Sequence, residues 1–302
     1  MDLIGRTPML ALRRAYVGRG VILAKAEFLN PGGSIKDRAA LAIIRGALER
    51  GELVEGQPLA SMTSGNLGAG LALVCSVLGH PFLAFMSEGN SPARARMMEA
   101  LGASVKLVAQ VDGVPGRVTG ADIAAAASNA RATAMKIGAL HVDQFLAAES
   151  VTTHESGTGP EIWNQLEGTL DAFVACVGSA GPFVGMGRFL KSRAPQIAAV
   201  AVEPLGCEVL AGKALTKHTH LIQGTSSGLV PPLWDPSLMD HSVAVSDDEV
   251  VHWRERLGKR EGLYVGYSAA ANVCAAAKLL ESGLLPDGAR VVTLLCDTGL
   301  KY

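Results

Sequence analysis

Short apolar runs alternate with longer segments of helical periodicity through nearly the whole of this 302-residue chain. Each apolar run is bounded by Gly, Pro or Ser, which is typical of buried strands. The predicted strands are residues 57–62, 81–86, 104–109, 171–177, 197–203 and 290–296. The predicted helices are residues 38–51, 66–79, 91–101, 120–137, 160–166, 182–193, 247–260 and 268–282. This alternation predicts an α/β protein in which mainly parallel sheets are flanked by helices.

The composition argues for a large apolar core and against several classes of partner. Hydrophobic residues make up 49% of the chain and charged residues 18%, which disfavours disorder. A formal net charge of −1 gives no electrostatic footprint for nucleic acid or an anionic membrane. No apolar run reaches the roughly 18 residues of a membrane-spanning helix, and no cationic leader precedes a cleavage site. We therefore expect a cytoplasmic protein without nucleic-acid or membrane partners.

The cysteine pattern favours reduced thiols over disulfides or metal sites. The chain has five cysteines, an odd number, and no two form a C-x-x-C pair. They are Cys75, Cys176, Cys207, Cys274 and Cys296. Most lie in apolar runs, so they are expected to fill the core of a protein in a reducing compartment. No His, Cys, Asp or Glu spacing resembles a metal site.

One lysine is predicted to stand at the start of a helix, directly after a glycine turn. Residues 30–38 read Asn-Pro-Gly-Gly-Ser-Ile-Lys-Asp-Arg and follow an extended apolar stretch at 21–24. Pro31 and the glycines predict a turn, and Ser34 is the expected N-cap. Lys36 is expected near the positive end of a helix dipole and partly removed from water. Both effects disfavour the charged ammonium, so the neutral amine that Schiff-base formation requires is more readily formed.

Two alternative interpretations of this segment need to be weighed. A nucleotide P-loop is excluded because Ser34 and Ile35 separate the glycines from Lys36, whereas a P-loop has lysine directly after glycine. A solvated surface lysine after an ordinary turn is compatible with the segment taken alone.

Three further loops of small and polar residues precede predicted helices. They are residues 63–66, 178–182 and 266–268, and Pro182 is expected at the first helical position. In parallel α/β folds such loops present backbone N–H groups that bind carboxylate or phosphate. Each loop taken alone also fits an ordinary capped helix start.

The order of these motifs resembles the cysteine synthase and cystathionine β-synthase family of pyridoxal 5′-phosphate (PLP) enzymes. The matching segments are I-G-R-T-P at 4–8, N-P-G-G-S-I-K-D-R at 30–38, T-S-G-N at 63–66, D-Q-F at 143–145, G-P-E-I-W at 159–163 and G-S-A-G-P at 178–182. The resemblance implies the fold-type II, tryptophan synthase β-like architecture with two α/β lobes. A smaller mobile substrate lobe would span 35–145, and 1–34 with 146–302 would form the larger lobe that binds the PLP phosphate. A homodimer is also implied.

The resemblance also implies roles for individual residues. Lys36 would form the internal aldimine with PLP and remove the substrate Cα proton. Asn66 would bind the 3′-oxygen of PLP and Ser268 its pyridine nitrogen. The substrate carboxylate would be bound by Thr63, Ser64, Gly65 and Gln144. The PLP phosphate would be bound by Gly178, Ser179, Ala180, Gly181 and Pro182.

The implied reaction is β-replacement. A serine hydroxyl stabilises a pyridinium less than a carboxylate does, so prompt loss of a β-leaving group is favoured. An O-acetylserine-like donor would give an aminoacrylate, and a small nucleophile would convert it to L-cysteine or a related β-substituted alanine. Two alternatives stay open: a β-eliminating lyase of the cysteine desulfhydrase or serine dehydratase type, which releases pyruvate and ammonia, and a catalytically degenerate binding homologue.

Three departures from the family pattern predict a specialised donor, nucleophile or product. Leu67 replaces a threonine, which removes a hydroxyl and is expected to add apolar bulk at the substrate loop. Pro182 can offer neither a hydroxyl nor an N–H to a phosphate. Tyr267 stands beside Ser268 in the sequence.

Overall fold

The computed structural model describes residues 1–225 and 228–302. They form two compact units: Met1–Ile4 with Lys36–Ser150, and Gly5–Ile35 with Val151–Tyr302. The predicted lobes differ slightly from these units, because the first four residues belong with the first unit and that unit extends to Ser150. That the units act as a mobile and a fixed lobe stays a prediction.

The first unit is built on a four-stranded parallel sheet with the strand order β5-β4-β3-β6. Its strands are β3 (Leu59–Met62), β4 (Phe82–Ser87), β5 (Ser104–Val108) and β6 (Leu140–His141). Its helices are α1 (Lys36–Glu49), α2 (Asn66–Leu78), α3 (Pro92–Ala100) and α4 (Gly120–Ile137). Helix α5 (Glu149–Thr153) then leads through a π-helical turn (His154–Thr158) into α6 (Gly159–Gln165) of the second unit.

The second unit is built on a six-stranded sheet with the strand order β1-β2-β10-β7-β8-β9. Its strands are β1 (Met9–Ala11), β2 (Val21–Lys25), β7 (Ala172–Cys176), β8 (Ala198–Pro204), β9 (His241–Val245) and β10 (Arg290–Leu294). Its further helices are α7 (Gly181–Arg193), α8 (Asp247–Glu261) and α9 (Tyr267–Glu281). Only β1 pairs antiparallel with its neighbour among the described strands.

Alternate residues of the central strands enter two different cores, so the second sheet is covered on both faces. In β7, Ala172 and Val174 pack with α9, whereas Phe173 and Ala175 pack with α6 and α7. Strands that are buried on both faces have apolar residues at successive positions. The sequence of these strands is therefore a continuous apolar run and does not alternate between apolar and polar residues.

The predicted α/β class and elements are confirmed. Every predicted strand and helix is present, with its ends within two residues of the predicted ones. The strands β1, β6 and β9 and the segment from α5 to the π-turn were missed, because short or half-exposed elements carry little hydrophobic signal. No helix of the described residues is both long enough and apolar enough to cross a membrane.

A buried ammonium joins three segments of the second unit. Lys25, at the end of β2, is fully buried, and its Nζ lies 2.6 Å from Glu161 Oε2 of α6. The same Nζ donates to the carbonyl oxygen of Thr7 at 2.5 Å and to Gln165 Oε1 at 3.1 Å. The N-terminal segment is thereby held between the sheet and α6.

The substitution Lys25→Met should lower the free energy of unfolding by about 3 kcal/mol, since Glu161 would lose its buried cationic partner. Urea denaturation followed by circular dichroism measures this loss. The double variant Lys25→Met/Glu161→Gln should recover part of it, because no carboxylate is then left without its counter-charge. Equal stability of the single variant and the wild type would contradict this account of the ion pair.

Candidate active site

Lys36 is half-buried and is the first residue of α1, as the glycine turn predicts. The turn is closed by Gly33, which donates its N–H to Asn30 O at 2.7 Å and has a φ of +75°. That Ser34 caps the helix stays a prediction. Ser34 lies two residues before Lys36, and its backbone forms an isolated bridge with Asp297.

The carboxyl edge of the first sheet brings together the residues expected to bind the substrate carboxylate. Thr63, Ser64 and Gly65 follow β3, and the parallel register places Ala60 opposite His141 of the neighbouring β6. Gln144 follows β6, so these four residues lie in the two segments that leave the carboxyl ends of neighbouring strands. Asn66 is the first residue of α2 and is half-buried at the same edge.

Leu67 does not enlarge the substrate loop, so that expectation is corrected. Its side chain is 3% exposed and belongs to the apolar core of the first unit. Leu67 is the second residue of α2, and its side chain packs in this core. It contributes apolar contacts there instead of the hydroxyl that a threonine would carry.

In the second unit, the loop 178–182 joins β7 to α7 in a constrained conformation. Ala180 is fully buried and is the N-cap of α7, with a φ of +69° that is unusual for a residue with a side chain. Gly178 approaches a neighbouring backbone so closely that a Cβ there would lie 2.2 Å from Gly224 O. Because α7 starts at Gly181, Pro182 is its second residue and not, as predicted, its first.

Ser268 is the second residue of α9 and is half-buried. The neighbouring Tyr267 takes part in an aromatic cluster, in which its ring meets Tyr302 edge to face at 5.4 Å. The Arg254 guanidinium stacks 4.5 Å from the centre of the same ring. The departure at Tyr267 therefore contributes to packing in the second unit.

In the described part of the chain, three helix starts have neither a side-chain cap nor an acidic residue in the first turn. Among the described residues, no side chain caps α2, α7 or α9, and none of their first turns holds an acidic residue. By contrast, Ser91, Thr119 and Ser246 cap α3, α4 and α8. Uncapped N–H groups at the positive end of a helix favour an anionic ligand, so these three starts differ from ordinary capped ones.

The cysteines are free and are poorly suited to act as nucleophiles. Burial raises the pKa of Cys75 and of Cys274 to about 12. Burial, with a smaller contribution from the nearby Cys296, also raises the pKa of Cys176 well above its usual value. Since the thiolate is the reactive form, these three thiols are unreactive at neutral pH.

Uncapped helix starts that follow parallel strands are typical of α/β proteins that bind anionic ligands such as phosphates. A family model described as pyridoxal-phosphate dependent enzyme matches residues 1–297, and the chain belongs to that family. Its cofactor is PLP. The close Gly178 turn and the uncapped N–H groups of α7 fit a phosphate group.

Relatives and solved structures resemble the chain over its full length. A cysteine synthase of Staphylococcus aureus is 34% identical over 303 residues, which cover 100% of this chain and 94% of the relative. The crystal structure of O-ureido-L-serine synthase has a TM-score of 0.90 at 32% identity, covering 100% of this chain and 92% of that one. A hydrogen sulfide-producing enzyme from Fusobacterium nucleatum has a TM-score of 0.90 at 30% identity, covering 100% and 96%. These similarities confirm the fold-type II architecture.

One buried polar residue near Ser268 was missed by sequence reasoning. Asn272 lies one helical turn beyond Ser268 in α9 and is fully buried. Its signal was available, because it is the single amide within the apolar run 269–277 of a helix expected to be buried.

The substitution Gly178→Ala should displace the loop 178–182, because the new Cβ cannot fit beside Gly224 O. We expect the free energy of unfolding to fall by about 2 kcal/mol and PLP content to fall with it. Gly258→Ala in α8 is the matched control, since its Cβ would meet no atom within 4 Å. It should stabilise the helix by up to about 1 kcal/mol and leave PLP content unchanged. Urea denaturation and the absorbance of released PLP measure both effects.

Proposed function

We propose that this PLP enzyme catalyses β-replacement on an activated serine such as O-acetylserine, forming L-cysteine or a related β-substituted alanine. The observation that carries the proposal is the hydroxyl of Ser268 at an uncapped helix start whose first turn holds no acidic residue. The full-length similarity to a cysteine synthase supports it.

Each set of residues has a separate task in the proposed reaction. The helix start at Asn66, together with Thr63, Ser64, Gly65 and Gln144, binds the substrate carboxylate through neutral donors, and Asn66 also contacts the 3′-oxygen of PLP. The loop of Gly178, Ser179, Ala180, Gly181 and Pro182 binds the cofactor phosphate. Within this loop Pro182 adds no N–H, so the other residues supply the donors.

Lys36 and Ser268 have different roles in the proposed reaction. When bound, PLP supplies a ring that withdraws electrons from the substrate Cα. Lys36 holds the cofactor through its amine and accepts the proton from Cα. The Ser268 hydroxyl hydrogen-bonds the pyridine nitrogen without giving it a counter-charge, so negative charge at Cα is stabilised only modestly. The β-leaving group would then depart promptly, the small nucleophile would add at Cβ, and Lys36 would return the proton to Cα.

A second candidate function is net β-elimination to pyruvate and ammonia. It is supported by the similarity to the hydrogen sulfide-producing enzyme of Fusobacterium nucleatum. The two functions differ at Cβ: in replacement the small nucleophile adds there, whereas in elimination nothing adds and the released product is hydrolysed at Cα to pyruvate and ammonia. The third alternative, a degenerate binding homologue, fits poorly with a chain that retains Lys36, Asn66 and Ser268. We further infer a homodimer in the cytoplasm from the family resemblance.

The products formed from O-acetylserine and sulfide decide between replacement and elimination. We expect cysteine in excess over pyruvate when both are quantified from one reaction. The reason is that sulfide is expected to add at Cβ in the same site that binds O-acetylserine. Pyruvate in excess at saturating sulfide would establish elimination as the main activity. Replacing sulfide with other small nucleophiles in the same assay identifies the preferred acceptor.

The substitution Lys36→Ala should remove the visible absorption of the lysine-bound cofactor and reduce turnover by at least about 100-fold. Lys213→Ala is the matched control, because that side chain is 63% exposed and its Nζ lies 3.4 Å from Glu208 Oε1 in a surface ion pair. It should retain both absorption and turnover. Unchanged turnover in Lys36→Ala would overturn the proposed role.

A further inference from the structure

One carboxamide joins three elements at the carboxyl edge of the second sheet. The Asn272 side chain of α9 accepts the backbone N–H of Cys176 at 2.7 Å through Oδ1. Its Nδ2 donates to the carbonyl oxygen of Leu294 at 2.9 Å and also lies 3.5 Å from Cys296 Sγ. Asn272 is fully buried, so each of these bonds is made away from water.

These bonds begin where the pairing of β7 with β10 stops. The last paired residues of the two strands are Val174 and Thr293. Beyond these residues the two strands no longer pair through their backbones, and the Asn272 carboxamide bridges them instead. It supplies one hydrogen-bond acceptor to β7 and one donor to β10. The separation of the strands is therefore set by this side chain just before β7 continues into the loop 178–182.

Ser268 is linked to Asn272 along the backbone of α9 and through Cys176, the residue that the Asn272 side chain binds. In an α-helix the backbone N–H of Asn272 faces the carbonyl oxygen of Ser268, four residues earlier. That carbonyl oxygen also accepts a hydrogen bond from Cys176 Sγ at 3.7 Å. Because burial raises the pKa of Cys176 well above its usual value, the thiol keeps the proton that it donates.

We propose that Asn272 is a positioning residue for PLP, holding the Ser268 helix start in register with the end of β7 that leads into the phosphate loop. It contacts neither cofactor nor substrate and acts through Ser268 and the loop 178–182. The inference rests on the roles proposed for those residues. Small displacements of a supporting residue weaken a preorganised contact strongly, so the effect should appear in cofactor binding.

The test compares Asn272→Ala with Thr293→Val in the full-length protein. Thr293 is buried, and its Oγ1 donates to Val174 O at 2.8 Å, so this control also removes a side-chain bond between β7 and β10. Both variants should be less stable to urea. Only Asn272→Ala should raise the Kd for PLP, by about tenfold or more, and shift the visible absorption maximum of the bound cofactor.

Each outcome decides one question. If Asn272→Ala binds PLP with the Kd and absorption of Thr293→Val, the side chain is only structural and the inference fails. If the wild type itself binds PLP but Ser268→Ala leaves the absorption and Kd unchanged, the proposed role of Ser268 fails instead. The two failures are therefore distinguishable.

A variant of nearly equal volume covers the case in which Asn272→Ala does not fold. Asn272→Asp can donate to Leu294 O only while its carboxyl group is protonated. Its Kd for PLP should therefore stay near the wild-type value at low pH and rise with pH between about 5 and 8, more steeply than the wild type. The titratable groups facing this position are Cys296 and Cys176. A wild-type pH profile in Asn272→Asp would overturn the inference.

Discussion

The uncapped N-termini of α2, α7 and α9 are the constraint on which the candidate site depends. The first N–H groups of a helix have no partner within it, and their dipoles sum to a partial positive charge. At α3, α4 and α8 a serine or threonine side chain accepts a hydrogen bond from one of these groups. At the three uncapped starts an anionic ligand is the natural partner. A PLP phosphate and an amino-acid carboxylate have that chemistry.

The departures from the family pattern fall into separate physical environments. Leu67 is absorbed by the core of the first unit, and Tyr267 by an aromatic cluster with Arg254 and Tyr302 in the second. Neither position supplies a new group toward a ligand in the contacts described. Ala180 and Pro182 change the phosphate loop itself, one by accepting a left-handed backbone at about 1 kcal/mol and the other by removing a donor. The departures that remain in the candidate phosphate loop are therefore Ala180 and Pro182.

The elements that could be read from the sequence were those with long apolar runs or clear turn chemistry. Lys36 at a helix start followed from two glycines and a proline, and the three loops followed from small residues ahead of helical periodicity. The position of Pro182 in α7 was wrong by one residue, because helix starts depend on backbone bonds that side-chain identity predicts poorly. The apolar run around Asn272 marks it as a buried amide, but its role was missed because its partners lie on two strands outside α9.

The sequence by itself determined the α/β class, the order of the elements and the chemical types at each helix start, since these follow from local periodicity and turn residues. Tertiary structure alone decided which helix starts go uncapped, where Leu67 and Tyr267 pack, and how Asn272 joins α9 to β7 and β10. The physical reason is the range of the interactions. Periodicity acts over a few residues, whereas the contacts that place a side chain at a site join segments about a hundred residues apart and exist only after the sheet has formed.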